Sequence, residues 1–160
     1  MNAAQLREYV IRPALRQLDP HIPYSEGAVE LVLGTAAQES RFEYIAQLGG
    51  GPALGLWQME PATHDDCWAN YIAARPQLIT TLGRVIAPWG GGAEQMAWNL
   101  IYAACMARLQ YRRFPEPLPK AEDLDGIAAL WKLRWNTMLG AGTVEEFKAN
   151  YLKHVGGPPK

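Results

Sequence analysis

The sequence predicts a mainly α-helical protein with at most one short β-hairpin. Apolar residues recur every three or four positions through several stretches, which is the spacing of one helix face. Glycine and proline residues separate these stretches, as expected for loops between helices. The 160 residues are 49% hydrophobic and 19% charged, a composition typical of a folded chain that buries a core without disulfides or metals. We therefore expect one domain spanning residues 1–160.

The first helices are placed by their caps and breakers. Residues 3–18 form an amphipathic pattern that Pro13 is expected to bend or restart. A second helix is predicted at 25–39, with Ser25 as its N-cap. Small and branched side chains surround most of this helix, which indicates that it is buried on most sides. Residues 41–60 lack a helical period and are predicted to be irregular.

Three further helices follow in the middle of the chain. Thr63 is predicted to cap a helix that runs to about Ala74. Pro76 is predicted to open a shorter helix that ends near Ile86. The longest periodic stretch, residues 93–114, predicts one continuous helix.

The last third of the chain begins with a stiff connector, because three prolines lie within residues 115–119. A helix is expected at 123–136. Thr143 followed by Glu146 has the pattern of a capping box, which starts the last helix. That helix is predicted to continue to the glycine- and proline-rich stretch at 155–160, which is expected to be a flexible tail.

Charge, cysteine content and hydropathy exclude several classes of function. The net charge of −1 gives no electrostatic footprint for nucleic acid. Cys67 and Cys105 are too few for a disulfide framework, and their apolar neighbours predict buried free thiols. No apolar run approaches about 18 residues, so no membrane span is predicted. The N-terminal stretch lacks the apolar core of a secretory signal, which predicts synthesis in the cytoplasm without a signal peptide.

Neither a metal nor a cofactor is expected. The run His64-Asp65-Asp66-Cys67 contains metal-binding side chains, but adjacent ligands on one helical turn cannot all converge on an ion. The glycines at 49–51 do not form a phosphate loop, because no lysine followed by serine or threonine comes after them. Their backbone freedom suits close approach to a polymer instead.

Glu39 is the candidate catalytic residue. It lies at the end of the predicted helix 25–39, on the side of the apolar stripe and before a glycine-rich loop. Burial in a partly apolar cleft raises the pKa of a carboxyl group, so that a glutamic acid keeps its proton at neutral pH. The alternative is an ordinary glutamate that faces solvent, which is the commoner case.

Two sequence blocks around Glu39 resemble a known family. Glu39-Ser40 followed by Gly55-Leu56-Trp57-Gln58 is similar to the ES…GLMQ signature of soluble lytic transglycosylases and goose-type lysozymes. Trp57 stands where that signature usually has methionine. The glycine run at 49–51 and the residues after Gln58 look most like small phage-encoded members of the lysozyme-like superfamily.

A third block, within residues 130–147, resembles a drifted form of that family's tyrosine-asparagine-alanine-glycine region. Here the block has Trp135-Asn136, followed by Gly140-Ala141-Gly142. The resemblance as a whole covers about residues 25–150. It implies a lysozyme-like helical domain with catalytic activity.

The activity that the resemblance implies is cleavage of peptidoglycan at the β-1,4 bond between N-acetylmuramic acid and N-acetylglucosamine, with Glu39 as general acid and base. Between Glu39 and Gln58 the only other carboxylate is Glu43, and Glu60 is attributed to helix capping together with the acids that follow it. A single-acid site favours the lytic transglycosylase mechanism, in which the N-acetyl group of the substrate is the internal nucleophile and a 1,6-anhydro sugar is formed. Hydrolysis results if water enters instead.

The substrate contacts expected from the resemblance and the polar chemistry are Ser40, Trp57, Gln58, Tyr102, Trp135 and Asn136. Two roles stay open for Ser40, which either bonds the Glu39 carboxyl group or caps the helix end. Two roles also stay open for Gln58, which either binds the sugar through its amide or closes the loop through a structural hydrogen bond.

Two other functions are kept as alternatives. One is a non-catalytic component of a virion or secretion machine that uses the fold to bind the cell wall, although such proteins tend to lose the acid. The other is a chitin-type glycosidase with the same acid. The expected partner is the peptidoglycan glycan strand, and the resemblance adds a phage virion or lysis system. A monomer that acts on the cell wall, released at lysis or carried in a virion, is expected.

Overall fold

The computed structural model describes residues 1–90, 92–157 and 159, and helices make up most of them. This confirms the mainly α class. Strand pairing in the described residues is limited to two isolated antiparallel bridges, which join Leu54 to Ala46 and to Met59. The α-helices in chain order are α1 (Ala3–Leu6), α2 (Arg12–Leu18), α3 (Glu26–Glu39), α4 (Pro61–Cys67), α5 (Pro76–Gly83), α6 (Gln95–Trp98), α7 (Leu100–Arg112), α8 (Leu124–Trp131) and α9 (Val144–His154).

Short π-helical stretches extend three of these helices without a break in the chain direction. The stretch Arg7–Ile11 joins α1 to α2, so that the predicted helix at 3–18 is confirmed. The stretch Trp68–Ile72 continues α4. The stretch Lys132–Asn136 continues α8, which confirms the helix predicted at 123–136 and carries two candidate site residues.

Helix α3 lies at the centre of the fold. Eleven of its fourteen residues are buried, as its apolar composition predicted. The Ser25 side chain caps it by accepting a hydrogen bond from the backbone N–H of Ala28. Helices α7, α8 and α9 pack against it. A Cβ atom at Gly34 would lie 2.6 Å from the Phe147 ring, so glycine at this position allows α9 to approach closely.

A buried ionic cluster joins α3 to both ends of the chain. The Glu30 carboxylate is fully buried and accepts two hydrogen bonds from the Arg7 guanidinium, at 2.7 and 2.9 Å. The Tyr151 hydroxyl donates a third hydrogen bond to Glu30 at 2.5 Å. Both carboxylate oxygens are therefore satisfied, which a buried charge requires.

Two helix boundaries differ from the sequence-based prediction. Helix α4 begins at Pro61, with Glu60 and not Thr63 at the N-cap position. Proline is favoured at the first helical position because its missing N–H needs no partner there. The stretch predicted as one helix at 93–114 is interrupted at Asn99, whose side chain accepts from the N–H of Tyr102 and caps α7. Local capping by asparagine thus outweighs the continuous apolar period.

The other predicted ends agree more closely. The capping box at Thr143 and Glu146 is formed, and α9 ends at His154 as expected. Helix α5 ends at Gly83, a little earlier than predicted. Of the predicted tail at 155–160, Pro158 and Lys160 lie outside the described residues. Across the described part of the chain, no helix has the length and apolarity needed to cross a membrane. Both cysteines are buried and free, as predicted.

Candidate active site

Glu39 is the last residue of α3, and its carboxyl group is largely withdrawn from water. Burial raises its pKa to about 7. The indole Nε1–H of Trp131 donates a hydrogen bond to Glu39 Oε1 at 2.9 Å, and this bond alone opposes the rise. Among the described residues, no cation pairs with Glu39. The carboxyl group can therefore be either neutral or ionised close to neutral pH.

Glu30 and Glu39 lie on the same helix in opposite electrostatic settings. The Glu30 carboxylate receives a guanidinium and a phenol, which together fix it as a structural anion. Glu39 receives a single indole N–H in a desolvated position. A titratable group that is desolvated, unpaired and beside a cleft is a candidate for catalysis. Glu39 is half-buried whereas Glu30 is fully buried, and of these two acids only Glu39 fits that description.

Two cavities meet at Glu39. One has a volume of about 510 Å³ and the other about 430 Å³. Glu39, Gln58 and Glu60 line both of them. The larger cavity is also lined by Met59, Thr63, Gln110, Phe114, Leu133, Arg134, Trp135, Asn136 and Thr137. We refer to the two cavities together as the cleft, and Glu39 lines both of them.

Strained backbone is concentrated at the cleft. Four non-glycine residues in the described chain have positive φ. Three of them line the cleft, namely Arg41 (φ 55°), Gln58 (φ 47°) and Thr137 (φ 65°). The fourth, Phe42, follows Arg41 directly and is buried. Each such residue costs of order 1 kcal/mol or more, and such conformations cluster at functional sites.

Trp135 and Asn136 lie in the cleft, as the sequence predicted. The Trp135 ring stacks on Tyr111 with the ring centroids 5.4 Å apart. The Tyr111 hydroxyl is in turn hydrogen-bonded to the Thr35 hydroxyl at 2.7 Å, inside the core. The Asn136 side-chain oxygen accepts a hydrogen bond from Lys132 Nζ at 2.6 Å. The contacts with Tyr111 and Lys132 thus fix the orientation of the two side chains at the cleft wall.

Of the two roles that the sequence left open for Gln58, the structure shows the loop-closing hydrogen bond. Its Nε2 donates a hydrogen bond to the Gly55 carbonyl at 2.8 Å, which closes the loop. The same side chain lines both cavities, where its amide oxygen is an acceptor. Gly55 itself has φ 71°, and a Cβ atom there would lie 2.2 Å from the Met96 carbonyl oxygen. Only glycine fits this turn, which explains its place in the sequence block.

The structure corrects the expectation that Trp57 and Tyr102 face the cleft. Trp57 is 1% exposed, and its indole N–H donates to the Val32 carbonyl at 2.8 Å. Tyr102 is also 1% exposed, and its hydroxyl accepts from the Trp68 indole at 2.8 Å. Neither side chain lines the larger or the smaller cavity. Both are core residues, because large aromatic side chains contribute most when they are fully buried.

Ser40 serves as a cap and does not bond Glu39. Its hydroxyl donates to the Ala36 carbonyl at 3.2 Å and accepts from the N–H of Phe42 at 3.2 Å. It therefore turns the chain out of α3 and into the positive-φ pair that follows. Ser40 does line the smaller cavity. The glycines at 49 and 50 have positive φ and open space around them, so they form the turn beyond this cavity.

His64 takes part in a hydrogen-bonded chain within the core. Its Nε2 lies 2.6 Å from the Tyr102 hydroxyl, and its Nδ1 lies 2.7 Å from Asp65 Oδ1. Because Trp68 donates to the Tyr102 oxygen, the phenol proton is free to point at His64. Within the described residues, no three histidine, cysteine or acidic side chains come close enough to hold a metal ion. The sequence run around His64 thus has a structural explanation.

The sequence-based prediction missed two residues of the site. Glu60 was attributed to helix capping, but its side chain makes no capping hydrogen bond, and it lines both cavities. Its position directly after the Gly55–Met59 block was the available signal. Trp131 was not singled out, although it is the hydrogen-bond donor to Glu39. It lies four residues before Trp135, on the same helical side, which placed it near the predicted site.

Replacing Gln58 with alanine is expected to lower turnover far more than stability. The lost loop hydrogen bond is worth about 1 kcal/mol. If the cleft has the peptidoglycan-cleaving activity that the sequence resemblance implies, a lost contact that positions the reacting sugar reduces the rate on the order of 10²-fold. Thermal denaturation and wall-clearing rates measured on one preparation separate the two effects.

A matched control is Thr80→Ala, which removes a side-chain hydrogen bond to the Pro76 carbonyl far from the cleft. Because Thr80 is exposed within α5 and alanine has the higher helix propensity, the stability of this control should change by less than about 0.5 kcal/mol and its rate should be unchanged. If the activity of Gln58→Ala falls only in proportion to the loss of folded protein, the role of Gln58 is limited to its loop hydrogen bond.

Comparison with known proteins does not identify a family for this chain. The chain matches no family model. It also has no significant match among curated proteins or solved structures.

Proposed function

We propose that this protein cleaves the β-1,4 glycosidic bonds of peptidoglycan, between N-acetylmuramic acid and N-acetylglucosamine, with Glu39 as general acid and base on a lysozyme-like fold. One observation carries the proposal. The Glu39 carboxyl group is desolvated, has no cationic partner in the described chain and lies between two cavities, with its pKa raised to about 7. The resemblance of its sequence block to soluble lytic transglycosylases points to the same chemistry.

The first step needs a proton on the leaving oxygen. Protonated Glu39 donates it as the glycosidic bond breaks, and the oxocarbenium-like centre is stabilised by the acetamido oxygen of the substrate itself. The Glu39 carboxylate then removes a proton from the C6 hydroxyl, whose oxygen attacks C1 and displaces the acetamido oxygen. This closes the 1,6-anhydro ring and returns Glu39 to its protonated form. One residue performs both steps best when its pKa is close to the working pH.

The walls of the cleft suit a sugar polymer. Trp135 offers an aromatic face fixed by its stacking on Tyr111, and sugar rings pack well on such faces. Asn136 and Gln58 supply amide groups that hydrogen-bond to hydroxyl or acetamido substituents. Because Glu39 lies where the two cavities meet, sugars on both sides of the cleaved bond have room to bind.

Glu60 supports a competing hydrolytic outcome at the same site. It is an exposed carboxylate that lines both cavities with Glu39. In an inverting glycosidase, a second carboxylate activates the water that attacks the sugar. The chain thus contains an acid for either outcome, and the products distinguish them.

The product that we expect is an anhydro-muropeptide, lighter by one water than the hydrolytic product. Mass spectrometry of digested wall measures this directly. Glu60→Gln should keep the anhydro product, because the substrate-assisted mechanism uses Glu39 alone. Reducing-end products from the wild type, together with inactive Glu60→Gln, would instead establish hydrolysis with two acids.

We also propose the setting in which the enzyme works. Its partner is the glycan strand of the cell wall, reached from a phage virion or after lysis, as the resemblance to small phage-encoded members of the superfamily implies. A non-catalytic wall-binding protein has no need for a carboxyl group whose pKa is raised to about 7. Retention of Glu39 in that state favours the enzyme over the binding protein.

A further inference from the structure

Arg108 is a buried cation without a counter-charge. It lies on α7 with 3% of its surface exposed, and its Nε has no hydrogen-bond partner. Within the described chain no carboxylate forms an ion pair with it. Burial, together with the smaller effect of the neighbouring Arg112 charge, lowers the pKa of Arg108 to about 10. A buried charge without a partner destabilises a protein unless a ligand supplies the opposite charge.

Arg108 lines a cavity of about 290 Å³ together with Arg112. Arg112 also lines a neighbouring cavity of about 470 Å³, with Arg75 and Arg113. We call these four residues and the two cavities the basic groove. Although the whole chain has a net charge of −1, this groove has a strong local excess of positive charge.

The acids near the basic groove are already engaged. Glu116 lines the smaller cavity but pairs with Arg134. Asp66 pairs with Arg113. Neither carboxylate forms an ion pair with Arg108 or Arg112 in the described chain. The charge of the two central arginines therefore has no internal complement in the described residues.

The basic groove adjoins the cleft. Phe114 lines both cavities of the groove and also the larger cavity of the cleft. A polymer whose sugars occupy the cleft can therefore extend a substituent past Phe114 into the groove. Guanidinium groups bind carboxylates and phosphates through paired hydrogen bonds, more strongly where water is excluded.

We propose that the basic groove is an oxyanion-binding site in which Arg108 and Arg112 hold a carboxylate or phosphate group. The oxyanion is a carboxylate of the short acidic peptide that the glycan strand carries. This source rests on the proposed function, whereas the oxyanion site itself does not. The groove thus makes the enzyme selective for strands that carry the peptide.

The site is tested by binding of two probes, inorganic phosphate and the dipeptide Ala-Glu, at constant ionic strength. Calorimetry and thermal denaturation should show that both bind the wild-type protein and raise its melting temperature. Arg108→Met should bind each probe at least about tenfold more weakly. Without a probe, this variant should melt no lower than the wild type, because methionine fills the space without a buried charge.

Arg112→Gln provides a second, exposed variant that does not disturb the core, and it should also weaken binding. Equal binding by the wild type and both variants, or no binding to the wild type, overturns the oxyanion site. Stronger binding of phosphate than of Ala-Glu assigns the groove to a phosphate group and overturns the peptide as its source.

The peptide source is tested by turnover of two strand preparations that differ only in the peptide. For the wild type, KM should be lower on peptide-bearing strands than on strands stripped of peptide. Arg108→Met should reduce the ratio of KM on stripped strands to KM on peptide-bearing strands about tenfold. An unchanged ratio overturns the peptide source. If Glu39→Gln retains full activity, the proposed function fails, yet the binding of the two probes still decides the oxyanion site.

Discussion

Glu39→Gln is expected to reduce the cleavage of purified peptidoglycan by about 10²–10⁴-fold, which is the contribution of a positioned acid–base group. The substitution is nearly isosteric, and the amide oxygen can still accept the hydrogen bond from Trp131. It removes only the transferable proton. Clearing of a wall suspension measures the rate, and wild-type activity in this variant would remove Glu39 from the mechanism.

The same variant has a distinctive stability profile that serves as its folding control. A carboxyl group whose pKa is raised by folding from 4.5 to about 7 makes the folded state hold its proton more tightly. Stability therefore falls as pH rises from about 4.5 to 7 and stays low above that range. Glutamine does not titrate, so Glu39→Gln should be more stable than the wild type at pH 8, by at most about 3 kcal/mol. At pH 4 the two should be alike, and an equal difference at both pH values would contradict the raised pKa.

Glu30→Ala is expected to destabilise the protein by about 3–5 kcal/mol, the range for breaking one side of a buried ion pair. The change leaves the Arg7 guanidinium and the Tyr151 hydroxyl without their shared acceptor. At this size of domain, the loss corresponds to a melting temperature lower by about 10 °C. Denaturant titration and thermal melting both measure it.

Glu26→Ala is the matched control for Glu30→Ala. Glu26 is on the same helix and also pairs with an arginine, Arg12, but it is exposed at the surface. Exposed ion pairs contribute about 0–1 kcal/mol. If both variants lose the same free energy of unfolding, the buried Glu30 cluster contributes no more to stability than an exposed ion pair does.

Local signals allowed much of the fold to be predicted. The cap at Ser25 and the capping box at Thr143 act within three residues, so the sequence alone reveals them. The interruption at Asn99 escaped prediction because the apolar period continues across it. The asparagine cap there is completed by a second bond, to the Val85 carbonyl, which depends on tertiary structure.

The candidate site was predictable where one segment determines it and not where distant segments meet. Glu39 and Gln58 lie close in sequence around one irregular loop, and the structure brings them to the same cleft. Trp57 is next to Gln58, yet it is buried in the core, where its indole N–H bonds to the Val32 carbonyl of α3, 25 residues earlier. The bond from Trp131 to Glu39 joins residues 92 positions apart, and no local pattern encodes it.

That separation has a consequence for the order of events during synthesis. Helix α3 leaves the ribosome long before Trp131, and the Tyr151 hydroxyl that completes the Glu30 cluster lies 121 residues after Glu30. A nascent chain that has exposed Glu39 therefore still lacks both the indole beside the acid and the last anchor of the helix that carries it. The complete site therefore forms only after the chain has been synthesised as far as Tyr151. If the proposed function holds, we expect a partly synthesised chain to be inactive towards peptidoglycan.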